Sequence, residues 1–162
     1  VMITLYADCS LNPNTNRCVS AIFDDKDRVF IISKRVILDN NTTGELFSVV
    51  NAVERIKDLV RLKKDTFFIV YNDHDGVMKD LNNMEASSIR SPEYVNMFNN
   101  LVKTVSGFPS NVKIEFRTMN RKQSNEIRFV DHISHRHMKE EHVLKRFDET
   151  FKDFIFSNIV FE

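Results

Sequence analysis

Four acidic residues lie where elements of regular structure are predicted to begin or end. Asp8 and Asp73 each follow an apolar run. Glu45 lies in the first turn of an amphipathic segment, and Asp131 lies near the start of a later helical segment. Side chains at element ends can converge from distant parts of a chain. Several carboxylates in one place repel one another unless a cation offsets the repulsion, and Mg²⁺ and Mn²⁺ prefer such oxygen ligands. The four acids therefore indicate a divalent-metal site.

Each acid also has a purely structural interpretation. A glutamate in the first turn stabilises a helix through its dipole, and an aspartate after a strand commonly caps a helix or forms a turn. Only the joint placement of the four favours a metal site. Two ions about 4 Å apart would activate water and stabilise the leaving oxygen in phosphodiester hydrolysis. The motifs G-x-x-x-x-G-K-[ST], G-x-S-x-G, H-E-x-x-H and C-x-x-C are absent from the sequence.

The elements that would position these acids follow from the apolar pattern of the first half of the chain. Strand-like segments at 2–7, 18–23 and 29–37, joined by short polar turns, predict an antiparallel meander. A helix with one apolar face follows from about residue 41 to 60. The apolar run at 66–71 then predicts a strand parallel to an earlier one. Asp8 and Asp73 would therefore lie at the same edge of the sheet, where open α/β sheets bind ligands.

The second half of the chain predicts mostly helices. A short helix is expected at 77–83, and Ser91 with Pro92 opens another that ends at Gly107. A strand at 112–118 and a polar loop precede a segment that is predicted to be helical from Asn125 to the end. The sequence thus predicts an α/β (mixed α+β) fold with one five-stranded mixed sheet and helices on both faces. We expect a single domain over 1–162, with a C-terminal helical extension from about residue 139.

Composition limits the classes of function. The 162 residues include 23 basic and 23 acidic ones, so the net charge is zero and a strongly basic nucleic-acid coat protein is excluded. Cys9 and Cys18 are predicted to be buried reduced thiols, with a disulfide across a hairpin as the alternative. No apolar run approaches the roughly 20 residues that span a bilayer, and the first residues show no basic region or cleavage site. We therefore expect a soluble cytoplasmic protein.

The motifs around the four acids resemble those of the ribonuclease H family. The segments concerned are YADCS at 6–10, TGEL at 43–46, VYND at 70–73 followed by Gly76-Val77, and Asn125 with VDHIS at 130–134. The corresponding family motifs commonly read Y-T-D-G-S, A-E-L or M-E-L, T-D-S-x-Y-V and N-x-x-x-D-x-L-A. All four motifs occur in the family's order and at similar spacing, and the resemblance runs from about Ile3 to about His137.

The resemblance implies the ribonuclease H-like fold, with its five strands in the order 3-2-1-4-5. It also implies an endonuclease that hydrolyses the RNA strand of an RNA–DNA hybrid with two Mg²⁺ or Mn²⁺ ions. Asp8, Glu45, Asp73 and Asp131 would then be the catalytic metal ligands, with Asp8 bridging both ions. The family distinguishes RNA by contacts to 2′-hydroxyls. The substrate-binding residues implied here are Cys9, Ser10, Asn14, Asn16, Asn41 and Thr42, the last four on phosphates of the DNA strand.

The sequence departs from the family pattern at several positions. Cys9 stands where the family has Gly, His74 stands where it has Ser, and the loop at 119–124 has no His. His74, His135, Arg121 and Lys122 are accessory candidates, since basic residues contact phosphates and His135, one turn after Asp131, could move protons or product. The simpler interpretation is a solvated helix surface for His135 and ordinary surface charge for the basic residues.

These departures motivate two alternatives to the hybrid nuclease. One is a catalytically weakened ribonuclease H-like module that binds nucleic acid or serves as a scaffold. The other is a DNA-directed nuclease of the same fold. The C-terminal extension carries an apolar stripe that includes Phe147, Phe151, Phe154 and Phe156. We predict that this stripe packs on the domain and that the protein is a monomer, because large exposed apolar patches are rare on monomers. A partner surface is the alternative.

Overall fold

The computed structural model of the protein describes residues 1–60, 64–120, 122–138 and 159–161. Its strands are β1 Met2–Leu11, β2 Arg17–Asp24, β3 Val29–Ile32, β4 Val36–Ile37, β5 Thr66–Asn72, β6 Val112–Thr118 and β7 Ile159–Phe161. Its helices are α1 Asn41–Leu59, α2 Asp75–Asn83, α3 Pro92–Ser106 and α4 Asn125–Met138. Among the described residues, no helix is long and apolar enough to cross a membrane.

The strands form one mixed sheet in the order β6-β5-β1-β2-β3-β7, with β4 paired to β2. The strands β1, β2 and β3 form the predicted antiparallel meander. After α1 crosses over, β5 pairs parallel to β1, and β6 pairs parallel to β5. The five predicted strands therefore appear in the order β3-β2-β1-β5-β6, which confirms the predicted order 3-2-1-4-5.

Helices cover both faces of the sheet because successive strand residues point to opposite sides. Leu5 packs in a core with α1, α2 and α3, to which Leu46 and Phe98 contribute. Phe23 and Phe30 on the other face pack against Phe129 of α4, and the rings of Phe30 and Phe129 meet edge to face at a centroid distance of 4.3 Å. The prediction of helices on both faces is confirmed.

The structure corrects two element predictions. The strand expected at 29–37 is two strands, since Ser33 bonds to Ser20 through both its main-chain N and its Oγ before β4 begins. The helix expected from Asn125 to the end is wrong at 159–161, where β7 pairs parallel to β3. Ile, Val and Phe favour strands. The strand with which they pair, β3, is far away in the sequence, so the local pattern did not reveal this pairing. Residues 139–158, including the Phe stripe, lie outside the described residues, so the single domain and its packed extension stay predictions.

The cap of α3 gives a first test of the fold. Ser91 Oγ accepts a hydrogen bond from Tyr94 N at 3.2 Å, and Pro92 occupies the first turn as predicted. We expect Ser91→Ala to lower the free energy of unfolding by about 1 kcal/mol, because one helix N–H loses its acceptor. Urea unfolding measures this change. Ser106→Ala, at the exposed last residue of the same helix, is the control, and an equal effect of both variants would contradict the capping role.

Candidate metal centre

Three acids meet where β1, β5 and α1 come together. The parallel pairing of β1 with β5 aligns Tyr6 with Tyr71 and so carries Asp8 and Asp73 to the same edge of the sheet. Asn40 caps α1 by accepting a hydrogen bond from Thr43 N at 3.0 Å, which fixes the start of the helix. Glu45 lies just beyond the first turn rather than in it, which corrects the prediction by one residue. One ligand atom from each of the three acids lies within 4.8 Å of the others. The predicted convergence of these three residues is therefore present in the structure.

The carboxylates of Asp8 and Glu45 are buried with an incomplete set of partners. Their residues are only 2% and 4% exposed, and Asp8 Oδ2 and Glu45 Oε2 have no hydrogen-bond partner among the described residues. Burial raises the pKa of Glu45 to about 7, helped by the charge of Asp73. Burial and the charges of Glu45, Asp73 and Asp131 hold the pKa of Asp8 well above its usual range. Without a cation, this cluster resists carrying its full negative charge.

The residues present fit a divalent cation. A buried oxygen without a partner carries a desolvation cost, and a bound cation would offset both that cost and the repulsion between the carboxylates. Carboxylate oxygens are ligands suited to Mg²⁺ and Mn²⁺. The structure therefore contains a carboxylate cluster that is suited to a divalent cation.

Asp131 reaches the same site from α4. It is half-buried and lines a pocket of about 380 Å³ together with the other three acids. It is not among the three acids whose ligand atoms lie within 4.8 Å of one another, although its charge still raises the pKa of Asp8. Helix α4 packs against β1 and β2, and this packing places Asp131 opposite the ends of β1 and β5. The structure thus brings all four predicted acids to one pocket.

The other sequence-predicted residues divide into two groups. Cys9, Ser10, Asn41 and His74 line the pocket. Outside its lining lie Asn14 and Asn16 in the β1–β2 turn, Thr42 in the first turn of α1, and Lys122 in an exposed turn before α4. His135 is exposed, and its Nδ1 lies 3.2 Å from Ser10 Oγ. Arg121 lies outside the described residues.

Cys9 makes hydrogen bonds to two of the acids in the cluster. Its Sγ donates to Glu45 Oε1 at 3.0 Å, and its main-chain N donates to Asp8 Oδ1 at 2.8 Å. A hydrogen bond with Cys18, burial and the charge of Glu45 hold the pKa of the Cys9 thiol well above its usual range, so the thiol keeps its proton. Both cysteines are buried free thiols, as predicted.

His74 has a structural role that explains part of its position. Its Nδ1 accepts a hydrogen bond from Val77 N at 3.1 Å and so caps α2. A serine, which the family carries at this position, is also a favourable N-cap. The imidazole therefore fills the capping role in this chain while its ring lines the pocket.

Asn72 is a functional residue that the sequence reasoning missed. It is fully buried at the end of β5. Its Nδ2 donates to Ala7 O at 3.0 Å and to Ser48 Oγ at 3.1 Å, while its Oδ1 accepts from His74 N at 2.8 Å. One amide thus ties β1, α1 and the start of α2 together around Asp73. The available signal was an amide closing an apolar run directly before an acid.

The comparisons with known proteins identify the fold. No family model matches the chain, and no curated protein matches its sequence. Among solved structures, LC11-RNase H1, isolated from compost by a metagenomic approach, aligns at TM-score 0.71 and 12% identity over 86% of this chain and 96% of that one. The RNase H1 of the halophilic archaeon Halobacterium salinarum NRC-1 aligns at TM-score 0.61 and 13% identity over 80% and 94%.

A third solved structure is LC11-RNase H1 in complex with an RNA/DNA hybrid. It aligns at TM-score 0.64 and 11% identity over 80% of this chain and 94% of that one. These alignments cover most of each chain, and the strand order found above agrees with them. The chain therefore has the ribonuclease H-like fold.

Proposed function

We propose that this protein is a metal-dependent endonuclease that hydrolyses the RNA strand of RNA–DNA hybrids. The observation that carries the proposal is the cluster of Asp8, Glu45 and Asp73, in which two buried carboxylate oxygens lack partners among the residues that the structure describes. A solved structure of the same fold, LC11-RNase H1, is a complex with an RNA/DNA hybrid. A carboxylate cluster of this kind on this fold supports phosphodiester hydrolysis of such a substrate.

Each acid has a proposed role in the reaction. When bound, two Mg²⁺ or Mn²⁺ ions supply the activated water and the charge stabilisation of phosphodiester hydrolysis. Asp8 is buried, and the charges of Glu45 and Asp73 both raise its pKa, so we assign it the central role in holding the ions. Glu45 and Asp73 would hold the ions together with Asp8, and Asp131 would join them from α4. Asn72 keeps the backbone at Asp73 in place through its three hydrogen bonds.

The residues beyond the acids suit a two-stranded substrate. Cys9 and Ser10 extend from Asp8 along β1 within the pocket, where they and Glu45 would meet the 2′-hydroxyls of the RNA strand. The main-chain O of Asn16 accepts a hydrogen bond from Leu38 N at 3.0 Å, which places the β1–β2 turn beside the segment before α1. Asn14 and Asn16 lie in this turn, and Asn41 and Thr42 lie in the first turn of α1. We propose that all four hold DNA phosphates.

The accessory residues are proposed to act on phosphates and protons near the pocket. His135 approaches from α4 and contacts Ser10, which supports the proposal that it moves a proton or product beside Asp131. Lys122 is exposed in the turn before α4, where it would contact phosphate and make binding salt-dependent. Arg121 would do the same, and His74 faces the pocket from the cap of α2.

A substrate panel tests the proposed function. The full chain is incubated with an RNA–DNA hybrid, duplex DNA, duplex RNA and single-stranded RNA, each with Mg²⁺, Mn²⁺ or EDTA. We expect cleavage of the hybrid's RNA strand alone, and only with a divalent ion. Salt-sensitive binding of the hybrid without cleavage would support the scaffold alternative, and cleavage of DNA alone would support the DNA-directed nuclease. Cleavage that persists in EDTA would contradict the metal-dependent mechanism.

A further inference from the structure

We propose that Cys9 is a positioning residue that clamps one oxygen of each of two neighbouring carboxylates and leaves the other oxygen of each bare for a divalent cation. The inference rests on the proposed function, because it concerns the same metal centre. It assigns a role to the thiol at the position where the family carries glycine, a residue that has no side chain to contribute.

The hydrogen bonds of Cys9 show the clamp directly. Its Sγ donates to Glu45 Oε1 at 3.0 Å, and its main-chain N donates to Asp8 Oδ1 at 2.8 Å. The second oxygens, Glu45 Oε2 and Asp8 Oδ2, are the two buried side-chain atoms without a partner among the described residues. Each carboxylate therefore has one oxygen fixed by Cys9 and one oxygen left over. Such hydrogen bonds from residues around a metal orient its ligands.

The packing around Cys9 holds the thiol at this place. A Cβ built on Gly44 would lie 3.0 Å from Cys9 Sγ and 3.2 Å from Cys18 Sγ. The absence of a side chain at Gly44 thus lets the first turn of α1 lie directly on the two thiols. Cys9 is only 5% exposed and shares a buried cluster with Cys18 and Leu38. The thiol is therefore buried, and its hydrogen bond goes to the carboxylate of Glu45.

Cys18 makes a matched comparison possible. It belongs to the same buried cluster, is itself fully buried and contacts the same glycine. Among the hydrogen bonds of the described residues, its thiol has none to Asp8 or Glu45. A change at Cys18 therefore reports what loss of packing and of the hydrogen bond between the two thiols does, and a change at Cys9 adds the loss of the donor to Glu45.

Mn²⁺ binding to the full chain tests the clamp without relying on activity. Calorimetry and the Mn²⁺ electron paramagnetic resonance signal give the Kd, and thermal unfolding verifies the fold of each variant. We expect Cys9→Ala to raise the Kd about 10-fold, as removal of a residue that orients metal ligands does. Cys9→Val, which fills the space without a donor, should behave as Cys9→Ala. Cys9→Ser, whose hydroxyl also donates, should restore the Kd to within about threefold of the original value.

The control decides between positioning and packing. Cys18→Ala should lower the melting temperature and leave the Kd for Mn²⁺ unchanged. An unchanged Kd in Cys9→Ala, or an equal rise in Cys9→Ala and Cys18→Ala, would overturn the inference. Failure of the unaltered protein to bind Mn²⁺ would contradict both the clamp and the proposed function. Mn²⁺ binding with the expected order of variants, but no hybrid cleavage, would contradict the proposed function alone.

Discussion

Asp8→Asn is expected to lower kcat for hybrid cleavage by about 10³-fold or more, since metal ions contribute several kcal/mol of transition-state stabilisation and each 1.36 kcal/mol is tenfold in rate. Asp8 is the acid whose pKa is raised by the charges of all three others, so its loss affects the whole cluster. Asn keeps the shape of the side chain and removes its charge. Single-turnover cleavage of a labelled RNA–DNA hybrid with Mg²⁺ measures the change.

Asp75→Asn is the matched control for this prediction. Asp75 is an exposed acid two residues from Asp73, and its Oδ1 accepts a hydrogen bond from Thr118 Oγ1. It lies outside the pocket lining, so the variant removes the same charge near the site without touching the cluster. We expect it to retain most of the activity. If Asp8→Asn were as active as Asp75→Asn, the result would contradict the assignment of Asp8 as a metal ligand.

Glu45→Gln is expected to stabilise the metal-free protein at pH 8. Burial raises the pKa of Glu45 from 4.5 to about 7 in the folded state, so the folded protein holds this proton more tightly than the unfolded chain. The stability linked to that proton is fully present below pH 4.5 and is lost as the pH rises through about 7. At pH 8 the unaltered protein therefore carries the cost of a buried charge. Removal of that charge should increase the free energy of unfolding by about 2 kcal/mol.

Urea unfolding in EDTA at pH 8 and at pH 4.5 measures this gain, which should shrink at the lower pH. Glu54→Gln is the control, because Glu54 is an exposed glutamate on the same helix, with a side chain 55% exposed beside Lys57. Addition of Mn²⁺ should stabilise the unaltered protein by mass action and Glu45→Gln much less. A Glu45→Gln variant that is less stable than the unaltered protein at both pH values would refute the assignment of a strained, charged Glu45.

The carboxylate cluster lowers the stability of the metal-free protein and at the same time provides the ligands for a metal ion. Keeping the acids of the cluster ionised costs free energy, and a bound cation would offset both their repulsion and the lack of hydrogen-bond partners for two of their oxygens. The zero net charge of the chain fits this picture, because it includes several acids that would face cations in the working protein. Productive binding of a nucleic acid is therefore expected to need the metal.

Much of the fold could be predicted from local patterns. Apolar runs separated by polar turns specified the meander, since the side chains of a half-buried strand alternate with a period of two. The apolar face of α1 and the buried run of β5 predicted a crossover and hence a parallel pair. The division of the strand at Ser33 and the strand β7 were not predictable in this way. Both depend on pairing with distant residues, Ser20 and the edge of β3.

The sequence by itself determined that Asp8 and Asp73 share one sheet edge, because it defines their two strands and the crossover that joins them. The structure extends β1 to Leu11, so Asp8 lies within its strand rather than after it. The sequence also placed Glu45 near the start of α1, where the structure sets it just beyond the first turn. Only the tertiary structure decided that Asp8 and Glu45 are buried, each with one oxygen that has no hydrogen-bond partner among the described residues. It also decided that the Cys9 thiol donates a hydrogen bond to Glu45. The hydrogen bonds by which Asn72 connects three elements were likewise visible only in the structure. Burial and hydrogen bonding depend on which elements pack against one another and at what distance, and no local pattern of residues encodes those distances.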